Sequence, residues 1–267
     1  MIVDDASVDK SSVIYEKYDN NKQVKIFKNR ENRGCGYAKK KCAQLARGEI
    51  CGFVDADDAL SPNALAMMVK GHLDNPEASI VYSTHYICDE SLQPQKVADY
   101  VGQIPAGKKS MTLLFPTISA FATFKREKYA MTEGISEMYP KAVDKDLYFK
   151  LEETGPVVFI EQPLYFYRHH SGSISLHQQK RIAHHYEMTA KFLALFRQGQ
   201  AETLLAEIPH KKRQLISGVV MVLYYEVKKG NFLIVGRLCY KLLVSFPFAL
   251  LKLIFKKVIP PWKNRSI

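Results

Sequence analysis

The stretch Ile50-Cys51-Gly52-Phe53-Val54-Asp55-Ala56-Asp57-Asp58 is an apolar run that ends in three carboxylates within four positions. Like charges gathered at the C-terminal edge of a strand raise one another's pKa unless a cation neutralises them. A hard divalent ion suits such a group. Mg²⁺ or Mn²⁺ takes oxygen ligands, commonly one or two carboxylates, and leaves its remaining positions to water and phosphate oxygens. Position argues the same way, because open α/β sheets bind ligands beyond the carboxyl ends of their strands. The plain alternative is a solvated acidic loop.

The flanking sequence favours the first reading. The chain opens on Met1-Ile2-Val3-Asp4-Asp5-Ala6-Ser7, a second short apolar run ending in acids, with a polar helix start at Ser7 to Ser11. Val24 to Phe27 alternates as a short strand does, and Asn29 to Gly34 has loop composition. Ala38, Cys42, Leu45 and Ala46 recur at helical spacing, and Gly48 punctuates the end before the acidic strand. The order strand, helix, strand, helix, strand predicts an α/β layer with a mixed, mainly parallel sheet and helices on both faces.

Four segments in this order resemble the family 2 glycosyltransferases of GT-A fold. They are Val3 to Asp9, Asn32-Arg33-Gly34 with Ala38 and Gly48-Glu49-Ile50, Phe53 to Asp58, and Ala142 to Leu151, followed by a closing strand and loop over Pro163 to Ser175. The resemblance spans residues 1–175. It implies that Asp4 and Asp5 face the nucleoside and that Asn32, Gly34, Lys39 and Asp55 lie on the donor side. Asp57 and Asp58 match the Asp-x-Asp signature, with Asp57 near the ribose and Asp58 on the metal that bridges the diphosphate. In Tyr167-Arg168-His169-His170, His170 matches a position able to join Asp57 and Asp58 at that metal, and Arg168 could pair with donor or acceptor oxygens. Asp144 takes the place of the general base that deprotonates the acceptor hydroxyl, which implies inversion at the anomeric carbon and a hexosyltransferase type of reaction. Val143 stands where the family usually has a glutamate. Asp146 reads as an acid at a helix N-terminus, favourable with the helix dipole. Lys39 could equally be a solvated helix lysine, and Asp144 a helix cap.

Family members begin with a strand and helix ahead of the segment that here starts at Met1, so the resemblance implies a domain lacking its first βα unit. A catalytically inactive or truncated homologue serving as a binding subunit is therefore one alternative. A signalling receiver domain is another, since it too opens Ile-Val-Asp-Asp and carries an acceptor aspartate near the position of Asp55. The receiver reading gives no reason for Asp57-Asp58, Asp144 or His170.

Cys35, Cys42, Cys51, Cys88 and Cys239 are odd in number and form no Cys-x₂-Cys pair, which predicts free thiols in a reducing compartment. No secretory leader is apparent, and the expected location is cytoplasmic, peripheral at the inner face of the cell membrane. At 267 residues and 47% hydrophobic composition the chain can bury a full core. From Ala206 to Ile267 twelve lysines and arginines stand against Glu207 and Glu226, so this segment carries +10 of the formal +11. Its basic residues are interleaved with Phe232 to Val235, Leu242 to Val244 and Phe246 to Leu251, which suits an anionic membrane surface and not a nucleic acid. A helical pair packed on the rest of the protein is the alternative. The expected organisation is thus a GT-A domain over 1–175, a helical extension over 176–230 and a basic amphipathic tail over 231–267. The expected partners are a nucleotide-diphosphate sugar and a lipid-linked or polysaccharide acceptor.

Overall fold

The computed structural model describes residues 1–113, 117–137, 139–170, 177–198 and 209–245. Residues 114–116, the expected closing loop over Ser171 to Ser175 and the tail beyond Ser245 lie outside the described residues. The chain divides into two compact units, Met1–Ala183 and His184–Ile267.

In the first unit β1 (Ile2–Asp4) pairs in parallel with β2 (Ile26–Lys28), with α1 (Ser11–Glu16) between them in sequence. Then come α2 (Cys35–Leu45), β3 (Ile50–Gly52), β4 (Ala59–Leu60) and α3 (Ala64–Asp74). The long central strand β5 (Ile80–Cys88) is followed by β6 (Pro94–Val97), a 3₁₀ turn at Ser110–Thr112, and β7 (Ala122–Lys125). Helices α4 (Arg126–Ala130) and α5 (Val143–Glu152) precede the last strand, β8 (Val157–Arg168). The larger sheet runs β3-β7-β5-β8-β4, with β6 also on β5. Because β8 follows one edge of β5 along its length, β7 and β6 share the other edge, β7 beside Ile80 to Tyr82 and β6 beside Tyr86 to Cys88.

The α/β architecture with a mixed sheet agrees with the sequence. The parallel bias is corrected: β1–β2 and β5–β8 are parallel, and the other four pairings are antiparallel. Alternation of strands and helices fixes element order but not strand direction, and β7 returns antiparallel after a connection that no periodicity marks. The same antiparallel strands exclude the receiver reading, whose doubly wound sheet is parallel.

The core beside β5 is built from Ala64 and Met68 of α3 with Val81, Phe121, Leu164 and Tyr165. Helix α3 lies so close that a Cβ on Gly71 would stand 2.8 Å from a methyl of Val81. In α2 the buried positions are Gly36 and Ala43; Ala38, Cys42, Leu45 and Ala46 are only half-buried. Along β8 the pairing with β5 slips, so that Ile80 faces Val157 but Cys88 faces Arg168.

The second unit contains most of α6 (His177–Arg197), then α7 (Pro209–Lys228) and α8 (Phe232–Ser245). Its core includes Tyr186, Phe192, Leu195, Val219, Val222 and Leu238. The start of the expected tail is therefore a helix that packs on α7. Among the described residues no helix is long and apolar enough to cross a membrane. All five cysteines are free.

Candidate active site

The site lies where β1, β3 and β8 end and α5 begins. Asp4 is buried at the end of β1, and its carboxylate accepts the N–H of Ser7 at 2.8 Å, closing the turn that follows. Asp5 reaches across to the loop before α2. It accepts from Asn29 Nδ2 at 2.8 Å, from the Arg33 N–H at 3.0 Å and from the Gly34 N–H at 2.6 Å. Gly34 caps α2 with φ 89° and no side-chain cap, so the Asp5 carboxylate takes over the alignment of that helix start. Asn32 is exposed in the same loop.

One turn into α2, Lys39 Nζ lies 2.8 Å from Asp55 Oδ1 while its side chain is only 18% exposed. Burial acts to lower its pKa, but the charges of Asp55 and Asp144 outweigh burial and hold the ammonium above its usual range. Lys39 is thus an ion-pair partner facing two carboxylates, not a solvated helix lysine. Burial, helped by the charge of Asp144, also pushes up the fully buried Tyr148 hydroxyl one turn further along α5.

The three carboxylates after β3 have separate partners. Asp55 pairs with Lys39, and its N–H donates to the Tyr165 hydroxyl at 3.2 Å. That hydroxyl donates to Asp58 Oδ2 at 2.7 Å, while the Arg168 N–H donates to Asp58 Oδ1 at 2.8 Å. Both oxygens of Asp58 therefore tie the loop to β8, and burial pushes its pKa up to about 6 against the lowering effect of those two donors. Asp57 points elsewhere: its Oδ2 lies 3.0 Å from His170 Nε2, with side chains 48% and 31% exposed. Of the two residues matched to the Asp-x-Asp signature it is Asp57, not Asp58, that faces the histidine. The Arg168 guanidinium donates to the Glu90 carbonyl at 3.3 Å.

Helix α5 starts from Ala142, at φ 56°, without any side-chain capping bond. Asp144 is consequently not its cap and is left in the electrostatic reach of Lys39, Cys35 and Tyr148. Asp146 lies in the first turn of α5, as the sequence predicts for a helix-start acid. It is buried and lies 2.7 Å from Lys150 Nζ, one turn along α5. The pattern Asp-x-x-x-Lys was visible, but the burial of that face was not. Sequence reasoning also missed Tyr165, whose hydroxyl organises both Asp55 and Asp58; the signal was the Tyr165-Phe166-Tyr167 alternation in a strand that had to end at the site.

Among the described residues no three His, Cys, Asp or Glu side chains converge as a complete metal cage. The Asp57–His170 pair still fits an ion that keeps most of its positions for water and a diphosphate, since carboxylate and imidazole are both competent ligands and both are open to solvent.

Residues 1–131 match the family described as Glycosyl transferase family 2. The chondroitin synthase of Escherichia coli is 30% identical over 166 residues, 61% of this chain and 24% of the relative. The glycosyltransferase EpsH of Bacillus subtilis is 27% identical over 208 residues, 72% of this chain and 60% of the relative. This chain thus spans about a quarter of the first relative and three fifths of the second. Among solved structures, Staphylococcus aureus TarS 1–349 with UDP superposes with a TM-score of 0.57 at 15% identity, over 83% of this chain and 69% of that one. A mannosyltransferase from Pyrobaculum calidifontis with GDP-Man and Mn²⁺ gives 0.53 at 16% identity, over 94% and 73%. These likenesses, with the mixed α/β sheet, lead to one conclusion: residues 1–131 carry the match to the family 2 glycosyltransferases, and the fold is GT-A.

Proposed function

We propose that this chain transfers a hexosyl group from a nucleotide-diphosphate sugar to a hydroxyl of a polysaccharide or lipid-linked acceptor, with inversion. The observation that carries the reading is the Asp57–His170 contact, which joins residues 113 positions apart beside the Lys39–Asp55 pair and Asp144. Asp5 and the loop at Asn32 to Gly34 form the nucleoside side. Asp57 and His170 would hold Mg²⁺ or Mn²⁺, which supplies the positive charge that makes a nucleoside diphosphate a good leaving group. Asp144 takes the proton of the acceptor hydroxyl as its oxygen bonds to the anomeric carbon and the bond from that carbon to the diphosphate breaks. Lys39 balances Asp55 and keeps a positive charge beside Asp144. Asp58 and Tyr165 hold the loop in place. The basic segment 231–267 serves as a peripheral contact with an anionic membrane surface, where lipid-linked acceptors reside.

The donors bound by the structural neighbours, UDP-GlcNAc for TarS and GDP-Man for the mannosyltransferase, define the panel for a test. Calorimetric titration with UDP and GDP should show binding that needs Mn²⁺ or Mg²⁺ and disappears in chelator. Asp57→Ala and His170→Ala should each weaken the metal-dependent part by about 10-fold or more, while Asp58→Asn acts mainly on stability. Metal-independent binding that is unchanged in Asp57→Ala would remove this assignment.

A further inference from the structure

We propose that the turn between α7 and α8 is a preformed wedge that enters the interface of an anionic lipid bilayer. The inference rests on the membrane contact proposed above and gives it a site, at the turn where the helical extension passes into the basic segment. Residues 227–233, Val-Lys-Lys-Gly-Asn-Phe-Leu, are all exposed, with Phe232 at 69% and Leu233 at 82%. Exposed Tyr224 precedes them and exposed Tyr240 follows. Aliphatic and aromatic side chains at the tip, flanked by tyrosines and by the exposed Lys228, Lys229 and Arg237, have the composition of an interfacial insertion.

Charge selects the occupant. From Pro209 to Ser245 the sole acid is Glu226, and it is 1% exposed, so the tip presents cations and no exposed carboxylate. A membrane surface rich in anionic lipid complements that pattern, with roughly 1 kcal/mol for each lysine or arginine near the surface.

Glu226 also explains why the tip is ordered. Its carboxylate accepts from the Tyr186 hydroxyl, from Asn231 Nδ2 at 2.7 Å and from Lys229 Nζ at 3.4 Å. The backbone closes α7 in the same place: the Gly230 N–H donates to the Val227 carbonyl at 3.0 Å and the Asn231 N–H to the Glu226 carbonyl at 2.9 Å. With Gly230 at φ 74°, this is a Schellman ending in which the Asn231–Glu226 hydrogen bond replaces the usual apolar contact. Phe232 and Leu233 are thereby held outward by the fold, and their exposure is not the fraying of a helix end.

The test uses the full chain. Trp262 is its single tryptophan, so Leu233→Trp in a Trp262→Phe background gives one reporter at the tip. With mixed phosphatidylcholine and phosphatidylglycerol vesicles, emission should shift to the blue and be quenched by brominated acyl chains. Phe232→Ser with Leu233→Ser should lower vesicle partitioning by about tenfold or more without changing the melting temperature. If the chain binds vesicles but the reporter stays unquenched and the double variant binds equally well, the wedge is overturned while the tail remains the membrane contact. If the chain ignores anionic vesicles at low salt, the membrane reading and the wedge fall together. A double variant that changes oligomeric state but not vesicle binding makes the tip a protein interface and overturns the proposal.

Discussion

Asp55, Asp57 and Asp58 share one short loop, and each meets a different partner: a lysine, a histidine, and a tyrosine hydroxyl with a backbone N–H. The acidic cluster was legible because acids at a strand end have few other uses, and His170 was named only through the resemblance of Tyr167 to His170 to a family motif. It could not apportion roles, since Tyr165 and the Arg168 N–H arrive from a strand more than a hundred residues away. Asp144 was legible for a different reason: its place in Ala142 to Leu151 matched a motif, and the structure removes its capping alternative. As the proposed general base it should matter to turnover and little to donor affinity. Asp144→Asn is expected to lower kcat by a factor on the order of 10² to 10⁴ with nearly unchanged nucleotide-sugar binding. Equal turnover in variant and parent would end that assignment, and it would favour a binding subunit if neither turns over.

Among the elements, α5 shows what periodicity withholds. Its apolar Leu147, Phe149 and Leu151 alternate and mark no single helix face, and the ion pair of Asp146 with Lys150 lies inside the same packing, where Lys150 also donates to the Gly134 carbonyl at 2.9 Å. Breaking such a pair strands one buried charge. Asp146→Ala should therefore cost about 3–5 kcal/mol in denaturant unfolding, whereas Asp146→Leu with Lys150→Met should recover most of the loss. A variant Asp146→Ala as stable as the parent would mean that the pair is effectively solvated. In strand β5 the apolar run ends at Tyr82, but the strand continues through Ser83, Thr84 and His85 to Cys88. Thr84 and His85 are tolerated there because the flanking chain supplies partners, the Ala98 carbonyl for Thr84 at 3.2 Å and the Tyr100 hydroxyl for His85 at 3.0 Å.

At the scale of the whole molecule, two buried histidines tie folding to pH. Burial lowers His72 and His85 to about 4, and the charges of Lys145 and His169 add to the effect at His85. An unfolded histidine titrates near 6.5, so between the two values the unfolded chain binds more protons. Their contribution to stability is complete above about pH 6.5 and is lost as pH falls toward 4. Unfolding midpoints at pH 7.5, 6 and 5 should drop accordingly, and His72→Gln with His85→Gln should flatten the profile. Equal slopes would place the acid sensitivity elsewhere. The slip along β8 has a further consequence. Val158, Ile160 and Leu164 pack on the α3 core, and then Tyr165 and Tyr167 do, so the inward phase changes from even to odd positions between Leu164 and Tyr165. The strand works as a phase shifter. Gaining or losing one residue between Ile160 and Pro163 would turn Tyr165 to the opposite face and unfasten Asp55 and Asp58, while a change of two residues would preserve the parity. An active site on one strand end is in this way governed by a count of residues at a place that touches none of its chemistry.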